Sequence, residues 1–290
     1  MSAQQHGRAI SHRLLAAISF LLSVIAFGAI NLLWSRDFSD PQVILLGSGD
    51  RISALVTSGP SRVLIATGDD PNAFANALRQ IRRPTMPRLD VLLVAGGGKD
   101  LAAPASIVTD PDLRLAMAVA PFPNSPEFPA LQSVQPVSAP RRLTMPNGVS
   151  ITVESEPASE PSAAQERWAW RVIVSRGASR VVLLSDGEDA GLFPPANPAN
   201  VLAISGSNPL DGWQEVPAQL ISFNDEALSP GELRTSVATD EDGPDWAVRV
   251  FPGEAVAFTF RDGSVEVDPS ATDRLLPERE LEATASPPPG

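Results

Sequence analysis

Two short stretches bring together residue types able to do chemistry, Gly96-Gly97-Gly98-Lys99-Asp100 and Ser185-Asp186-Gly187-Glu188-Asp189. Glycine amides beside a lysine can cradle an anion, and clustered carboxylates can hold a hard cation. Neither stretch completes a motif. A Walker loop needs a glycine five residues before Gly98 and a Ser or Thr after Lys99, where the chain has Leu93 and Asp100. The three glycines therefore read as a turn. The acidic run at Asp186, Glu188 and Asp189 lacks EF-hand spacing, as does that at Asp240, Glu241, Asp242 and Asp245, so both read as solvated loops. Gly47-Ser48-Gly49 precedes strand-like sequence rather than a helix, which makes it a turn and not a dinucleotide fingerprint.

The chain's histidines are His6 and His12 alone, and it has no cysteine. A Ser-His-Asp triad is thereby excluded from residues 13–290, which hold no imidazole base. A Ser-Lys pair would have to use Lys99, the sole lysine, and nothing places a serine beside it. A zinc site needs about three or four nitrogen, sulfur or carboxylate ligands per ion, imidazole usually dominant, and that supply is missing. Without cysteine there are no disulfides, so an oxidising compartment is neither required nor excluded. Trp168, Trp170, Trp213 and Trp246 could form a ligand platform, but Trp168 and Trp170 share one strand face, the ordinary place for sheet packing.

A chain of 290 residues with 43% hydrophobic content can bury a sizeable core. Its formal charge of −12 disfavours nucleic acid, whose binding rests largely on phosphate neutralisation, without excluding it. Residues 14–34, Leu14 to Trp34, carry no charge and are long enough to cross about 30 Å of hydrocarbon as a helix. Arg8 and Arg13 precede the run and Arg36 follows it, which mildly favours an N-terminus inside and a main domain outside. A cleaved signal peptide with Ala26-Phe27-Gly28 as its processing site is the alternative, and a buried soluble helix is the third reading. The anchor is preferred because apolar residues continue through Ile30, Leu32, Leu33 and Trp34. The expected organisation is a cytoplasmic N-terminus over 1–13, a transmembrane helix over 14–34, one folded domain over 39–268 and a disordered tail over 269–290.

Within that domain Gln42–Leu46, Ile52–Val56 and Arg62–Ile65 are β-rich runs parted by turn residues, the pattern of an antiparallel meander. Asp69 and Asp70 can cap a helix from Pro71 or Asn72 to Ile81, with Phe74, Ala77 and Leu78 at helical spacing. Leu89–Val94 reads as a buried strand, followed by the glycine turn and a short helix near Pro104. Strand, helix, strand, loop, helix is the pattern of an α/β layer. Strands are also expected at Leu113–Ala118, Val149–Val153, Trp168–Val174, Val181–Leu184 and Val201–Ile204, so that the second half echoes the first. Glu154 to Ala164 reads as an exposed loop, and Trp246–Val250, Ala255–Phe260 and Ser264–Val267 as a terminal meander with a turn at Asp262-Gly263.

Val63-Leu64-Ile65-Ala66-Thr67-Gly68, a helix ending near Arg82-Arg83, and then Leu89-Asp90-Val91-Leu92-Leu93-Val94 resemble the metallo-β-lactamase superfamily, most closely the extracytoplasmic domain of the ComEC competence family. Trp170 to Val174 and Arg180 to Asp186 resemble the paired strands before that family's T-G-D motif. The resemblance implies an α/β fold, an αββα sandwich, over about residues 42–267. It also implies where a metal site would stand. The D-T-G aspartate falls on Ala66, and H-x-H-x-D-H falls on Gly96, Gly98, Asp100 and Leu101, so that Asp100 alone keeps its type. The T-G-D aspartate falls on Gly187 or Asp186, and the later histidine near Ser205 to Ser207.

The expectation is therefore a membrane-anchored, catalytically inactive domain of this kind, with no catalytic, cofactor-binding or metal-ligating residue and no cofactor. It would act outside the cytoplasm as a binding or assembly component with a membrane protein partner, DNA uptake being one context. The alternatives are an enzyme with rebuilt non-zinc chemistry around Lys99, Asp100 and Asp186, and a cell-envelope solute-binding domain.

Overall fold

Strand β1 (Gln42–Gly47) shows why the sequence folds into layers. Val43 and Leu45 point into the space between two sheets, whereas Ile44 and Leu46 point to a helical layer. A strand covered on both faces reads as a continuous apolar run. The same division holds for Val63 and Ile65 against Leu64 and Ala66 in β3 (Ser61–Ala66). In the other sheet it holds for Val181 and Leu183 against Val182 and Leu184 in β10 (Ser179–Leu184). The computed structural model describes residues 40–81, 88–110, 114–120, 130, 135–136, 141–157, 168–195, 197–206, 215–216, 218–223, 246–267 and 275–276. All of these lie in one compact unit beginning at Asp40.

The expected meander is present: β1 pairs antiparallel with β2 (Ile52–Ser58), and β2 with β3. Helix α1 (Pro71–Ile81) then returns the chain to β4 (Arg88–Val94), parallel to β3. Helix α2 (Ala102–Val108) leads to β5 (Arg114–Ala120), which is followed by the two-residue β6 (Gln135–Pro136), both parallel additions. Asp70, not Asp69, caps α1: its Oδ1 accepts from the amides of Asn72 at 2.8 Å and Ala73 at 3.0 Å. Phe74, Ala77 and Leu78 of α1 and Ile107 of α2 cover Leu55, Leu64 and Leu92 on the outer face of the sheet.

The second sheet repeats this plan. Strands β7 (Arg141–Thr144), β8 (Val149–Pro157), β9 (Trp168–Arg176) and β10 run antiparallel. Strands β11 (Ala199–Ile204), β12 (Ala218–Phe223) and β13 (Trp246–Arg249) then add in parallel. The echo between halves is thus real. On the outer face of this sheet the 3-10 segment Glu188–Leu192 contributes Ala190, which packs with Val216 against Val182, Leu184, Leu202 and Ile204.

Three expectations need correction. The terminal meander is divided: β13 joins the second sheet, while β14 (Ala255–Arg261) and β15 (Ser264–Val267) form the expected hairpin, turning at Asp262-Gly263, in the first sheet, where β14 pairs with β1. Spacing along the chain could not reveal that Phe258 and Phe260 are needed in the core between the sheets. The stretch read as a loop from Glu154 begins inside β8, held to Pro157 by its ladder with β9. Strands β7 and β12 had no expected counterpart; β7 is short and mostly exposed, so it carries little apolar signal. Leu275–Leu276, within the stretch read as a tail, form β16 against β13.

The apolar segment 14–34 lies outside the described residues, among which no helix is long and apolar enough to cross a membrane. Trp213 and the acidic run 240–245 also lie outside them. Trp170 is 2% exposed in the core between the sheets, the packing role its strand face implied.

Candidate functional site

Both halves of the molecule end their parallel strand pairs at one edge, where loops free of the ladder can converge. Five loops meet there: Ser48–Arg51 between β1 and β2, and the segments following β3, β4, β10 and β11. Their main chains are tied together. The Gly68 amide donates to the Asp100 carbonyl at 2.7 Å, the Ile52 amide to Ser205 Oγ at 2.8 Å, and the Gly206 amide to the Asp50 carbonyl at 3.2 Å.

Arg51 stands at the centre, its side chain 15% exposed. Its Nε donates to Asp100 Oδ2 at 3.1 Å and its Nη1 to the Ser185 carbonyl at 3.0 Å. Asp186 Oδ2 lies 4.0 Å and Asp50 Oδ1 3.8 Å from the same guanidinium. Burial works against the charge of Arg51, but Asp100, Asp50 and Asp186 together outweigh it and raise its pKa further. Burial is also the largest influence on Asp100, and pushes its pKa above the usual carboxylate range although Arg51 pulls the other way. Asp100 Oδ1 and Thr67 Oγ1 are both buried without a hydrogen-bond partner.

Two glycines make this approach sterically possible. At Gly206 (φ +78°) a β-carbon would stand 2.6 Å from Asp186 Oδ2 and 2.9 Å from Arg51 Nη1. At Gly96 (φ +104°) it would stand 2.9 Å from both Thr67 Oγ1 and Asp100 Cβ. Only glycine tolerates both the left-handed backbone and that proximity.

Lys99 lies apart, on the rim, with its side chain 60% exposed. Its Nζ donates to Asp50 Oδ2 at 3.0 Å and Asp69 Oδ2 at 3.2 Å. The hydrogen bond to Asp50 chiefly, opposed by slight burial and reinforced by Asp69, raises its pKa. Burial alone would raise the pKa of Asp69, but Lys99 and a hydrogen bond with Asp50 lower it on balance. A protonated amine committed to two carboxylates is neither a nucleophile nor a base, and it is poorly disposed to cradle an anion. The Gly96–Gly98 stretch is accordingly a close-packed turn leading into the 3-10 segment Gly98–Leu101. Ser185 Oγ accepts from the Trp170 amide at 3.1 Å and donates to Asp189 Oδ2 at 2.6 Å, which pins the loop carrying Asp186.

The structure thus brings Asp100 and Asp186 to one cation and leaves Lys99 outside. Arg51, Asp50 and Thr67 were not singled out by sequence. An arginine in a turn is ordinarily exposed, and the burial of this one follows only from loops contributed 49 and 134 positions away.

Among the described residues two eight-stranded sheets, each with an antiparallel run that switches to parallel strands, face each other across one core, with this site at the shared strand edge. The crystal structure of the metallo-β-lactamase fold protein YhfI from Bacillus subtilis superposes with a TM-score of 0.51 at 15% identity, over 75% of this chain and 100% of that one. This is the metallo-β-lactamase fold. Tm1679, described as a metal-dependent hydrolase of the β-lactamase superfamily, aligns with a TM-score of 0.47 at 10% identity over 74% of this chain and 98% of that one. No protein-family model matches the sequence, and no curated protein does.

A metallo-β-lactamase fold raises the question of a metal, and the residues present do not fit one. Gly96 and Gly98, the positions that the sequence resemblance assigns to histidines, have no donor side chain. Asp100 Oδ2 is already engaged by Arg51. Among the described residues no group of three or more His, Cys, Asp or Glu side chains could hold a metal ion. A divalent cation beside a buried guanidinium would also meet a like charge at close range.

Proposed function

We propose that this chain is a catalytically inactive domain of the metallo-β-lactamase fold, anchored by the segment 14–34 and exposed outside the cytoplasm, where it serves as a binding or assembly component. The observation that carries this reading is the guanidinium of Arg51 on Asp100, the one residue that keeps the type of a metal ligand in the sequence resemblance. Catalysis by metal needs an ion with an open position for water or substrate. Here one oxygen of the carboxylate is instead held by a cation that cannot be deprotonated and offers no open position. DNA uptake is one context, suggested by the resemblance to the ComEC competence family, and the partner would then be a membrane protein. The net charge of −12 favours a protein partner over direct contact with nucleic acid.

Metal analysis of the full chain, together with hydrolysis of bis(p-nitrophenyl) phosphate in added zinc, tests the inactive reading. The expected result is substoichiometric metal and no turnover above buffer; two equivalents of zinc with turnover would overturn it. Crosslinking in native membranes followed by mass spectrometry tests the assembly role. A multi-spanning channel subunit is the expected catch, and recovery of this chain alone would count against it.

A further inference from the structure

We propose that the carboxylate cluster of Asp50, Asp100 and Asp186 is a guanidinium-binding site whose occupant is the chain's own Arg51, and that this internal cation holds the two sheets together at their shared edge. The inference rests on the reading that the site takes no metal. Its evidence is the spread of elements that the one side chain joins. Arg51 comes from the β1–β2 turn of the first sheet, Asp100 from the loop after β4, and Ser185 and Asp186 from the loop after β10 of the second sheet. Each contact spans a different loop, so the guanidinium closes long stretches of chain at once.

The chemistry of the site selects a planar, multiply donating cation. A guanidinium presents donors in a fixed fork and is weakly hydrated, so it leaves water at lower cost than an ammonium. The fork is used here in two directions, Nε to a carboxylate and Nη1 to a main-chain carbonyl. An ammonium at the same point could satisfy one of these at full strength but not both in plane. The glycine at position 206 is shaped to the same occupant, since a β-carbon there would touch both Arg51 Nη1 and Asp186 Oδ2.

Without Arg51 the site would keep Asp100 and Asp186, 13% and 12% exposed, largely withdrawn from water and deprived of the guanidinium they share. A free guanidinium ion small enough to enter the vacated space should then bind. The experiment uses the full chain in mild detergent, with thermal unfolding followed for the wild type, Arg51→Ala, Arg51→Lys and the double variant Arg51→Met with Asp100→Asn. For Arg51→Ala the melting temperature is expected to fall by roughly 10 °C at pH 7, and about 10 mM methylguanidinium chloride should restore much of that fall while leaving the wild type unchanged. Arg51→Lys should recover only part of it. The double variant, which removes charge along with its partner, should melt above Arg51→Ala and should not respond to methylguanidinium; it preserves the test if Arg51→Ala does not fold.

An Arg51→Ala chain that melts with the wild type overturns the proposal, as does one restored by magnesium, calcium or sodium but not by methylguanidinium. A double variant no more stable than Arg51→Ala, in a chain that methylguanidinium does not rescue, also overturns it. Stoichiometric zinc on the wild-type chain would instead defeat the inactive reading, a separate measurement with a separate outcome.

Discussion

Arg51 and Asp100 stand 49 positions apart and are joined by a hydrogen bond of 3.1 Å from Nε to Oδ2, with both side chains largely withdrawn from solvent. A pair of this kind contributes less through its attraction than it would cost if broken, because the surviving partner is left charged in a poorly solvated place. The sheets meet at this point, so the cost of breaking it falls on the tertiary structure rather than on any one strand.

Truncation and neutralisation of Asp100 should therefore differ. Asp100→Ala leaves Arg51 its hydrogen bond to the Ser185 carbonyl at 3.0 Å but no described carboxylate nearer than 3.8 Å, and should cost about 3–5 kcal/mol. Asp100→Asn keeps an oxygen able to accept from Nε and should cost about 1–2 kcal/mol. Urea unfolding of both variants at pH 7 measures the order; equal losses would mean that the carboxylate's hydrogen bond is not what matters.

Acid should act on Asp100 and Asp69 in opposite directions. The pKa of Asp100 is raised by folding, so its contribution to stability is fully present below the unfolded value, near 3.9, and is lost as pH rises through the folded value. That of Asp69 is lowered, so its contribution is present above the unfolded value and is lost as pH falls through the folded one. Between pH 3 and pH 7 the stability of Asp69→Asn should consequently fall less steeply on acidification than that of the wild type, whereas that of Asp100→Asn should fall more steeply. Denaturant unfolding across this range decides it.

The two classes of left-handed glycine should separate cleanly. Gly206→Ala must accommodate a β-carbon 2.6 Å from Asp186 Oδ2 as well as the strained backbone, and should cost about 3 kcal/mol or more. Gly263→Ala meets nothing within 4 Å, at a β-turn joining β14 to β15, and should cost about 1 kcal/mol from the backbone alone. Thermal melts of the two variants, made side by side, test whether position 206 is reserved for contact.

Asp70→Ala removes the acceptor for two amides at the start of α1 and should cost about 1 kcal/mol. Asp69→Ala, one residue earlier, caps no described helix amide and should leave helix content unchanged and lower the melting temperature less than Asp70→Ala does, since its partner Lys99 is on the exposed rim. Circular dichroism melts of the pair distinguish the cap from its neighbour.

Several features of this molecule are legible in its amino-acid order. The apolar runs at Gln42–Leu46, Val63–Ile65 and Val181–Leu184 declare buried strands, because a strand covered on both faces needs apolar residues at every position. The helix after Asp69-Asp70 follows from its cap, its proline and the spacing of Phe74, Ala77 and Leu78. The absence of histidine beyond residue 12 removes the chemistry of an imidazole base, whatever the fold. These are local or compositional facts, and the physics that enforces them acts within a few residues.

What only the tertiary structure decided is partnership at long range. Ala255–Arg261 lies beside Gln42–Gly47 rather than beside Trp246–Arg249, since Phe258 and Phe260 complete the core between the sheets and a meander on the far sheet would have left that space unfilled. Arg51 became the centre of the candidate site for the same kind of reason. Its sequence neighbours mark only a turn, and its burial, its charge partners and its role arise from loops that converge because two similar halves of the chain place their parallel strand ends at one edge.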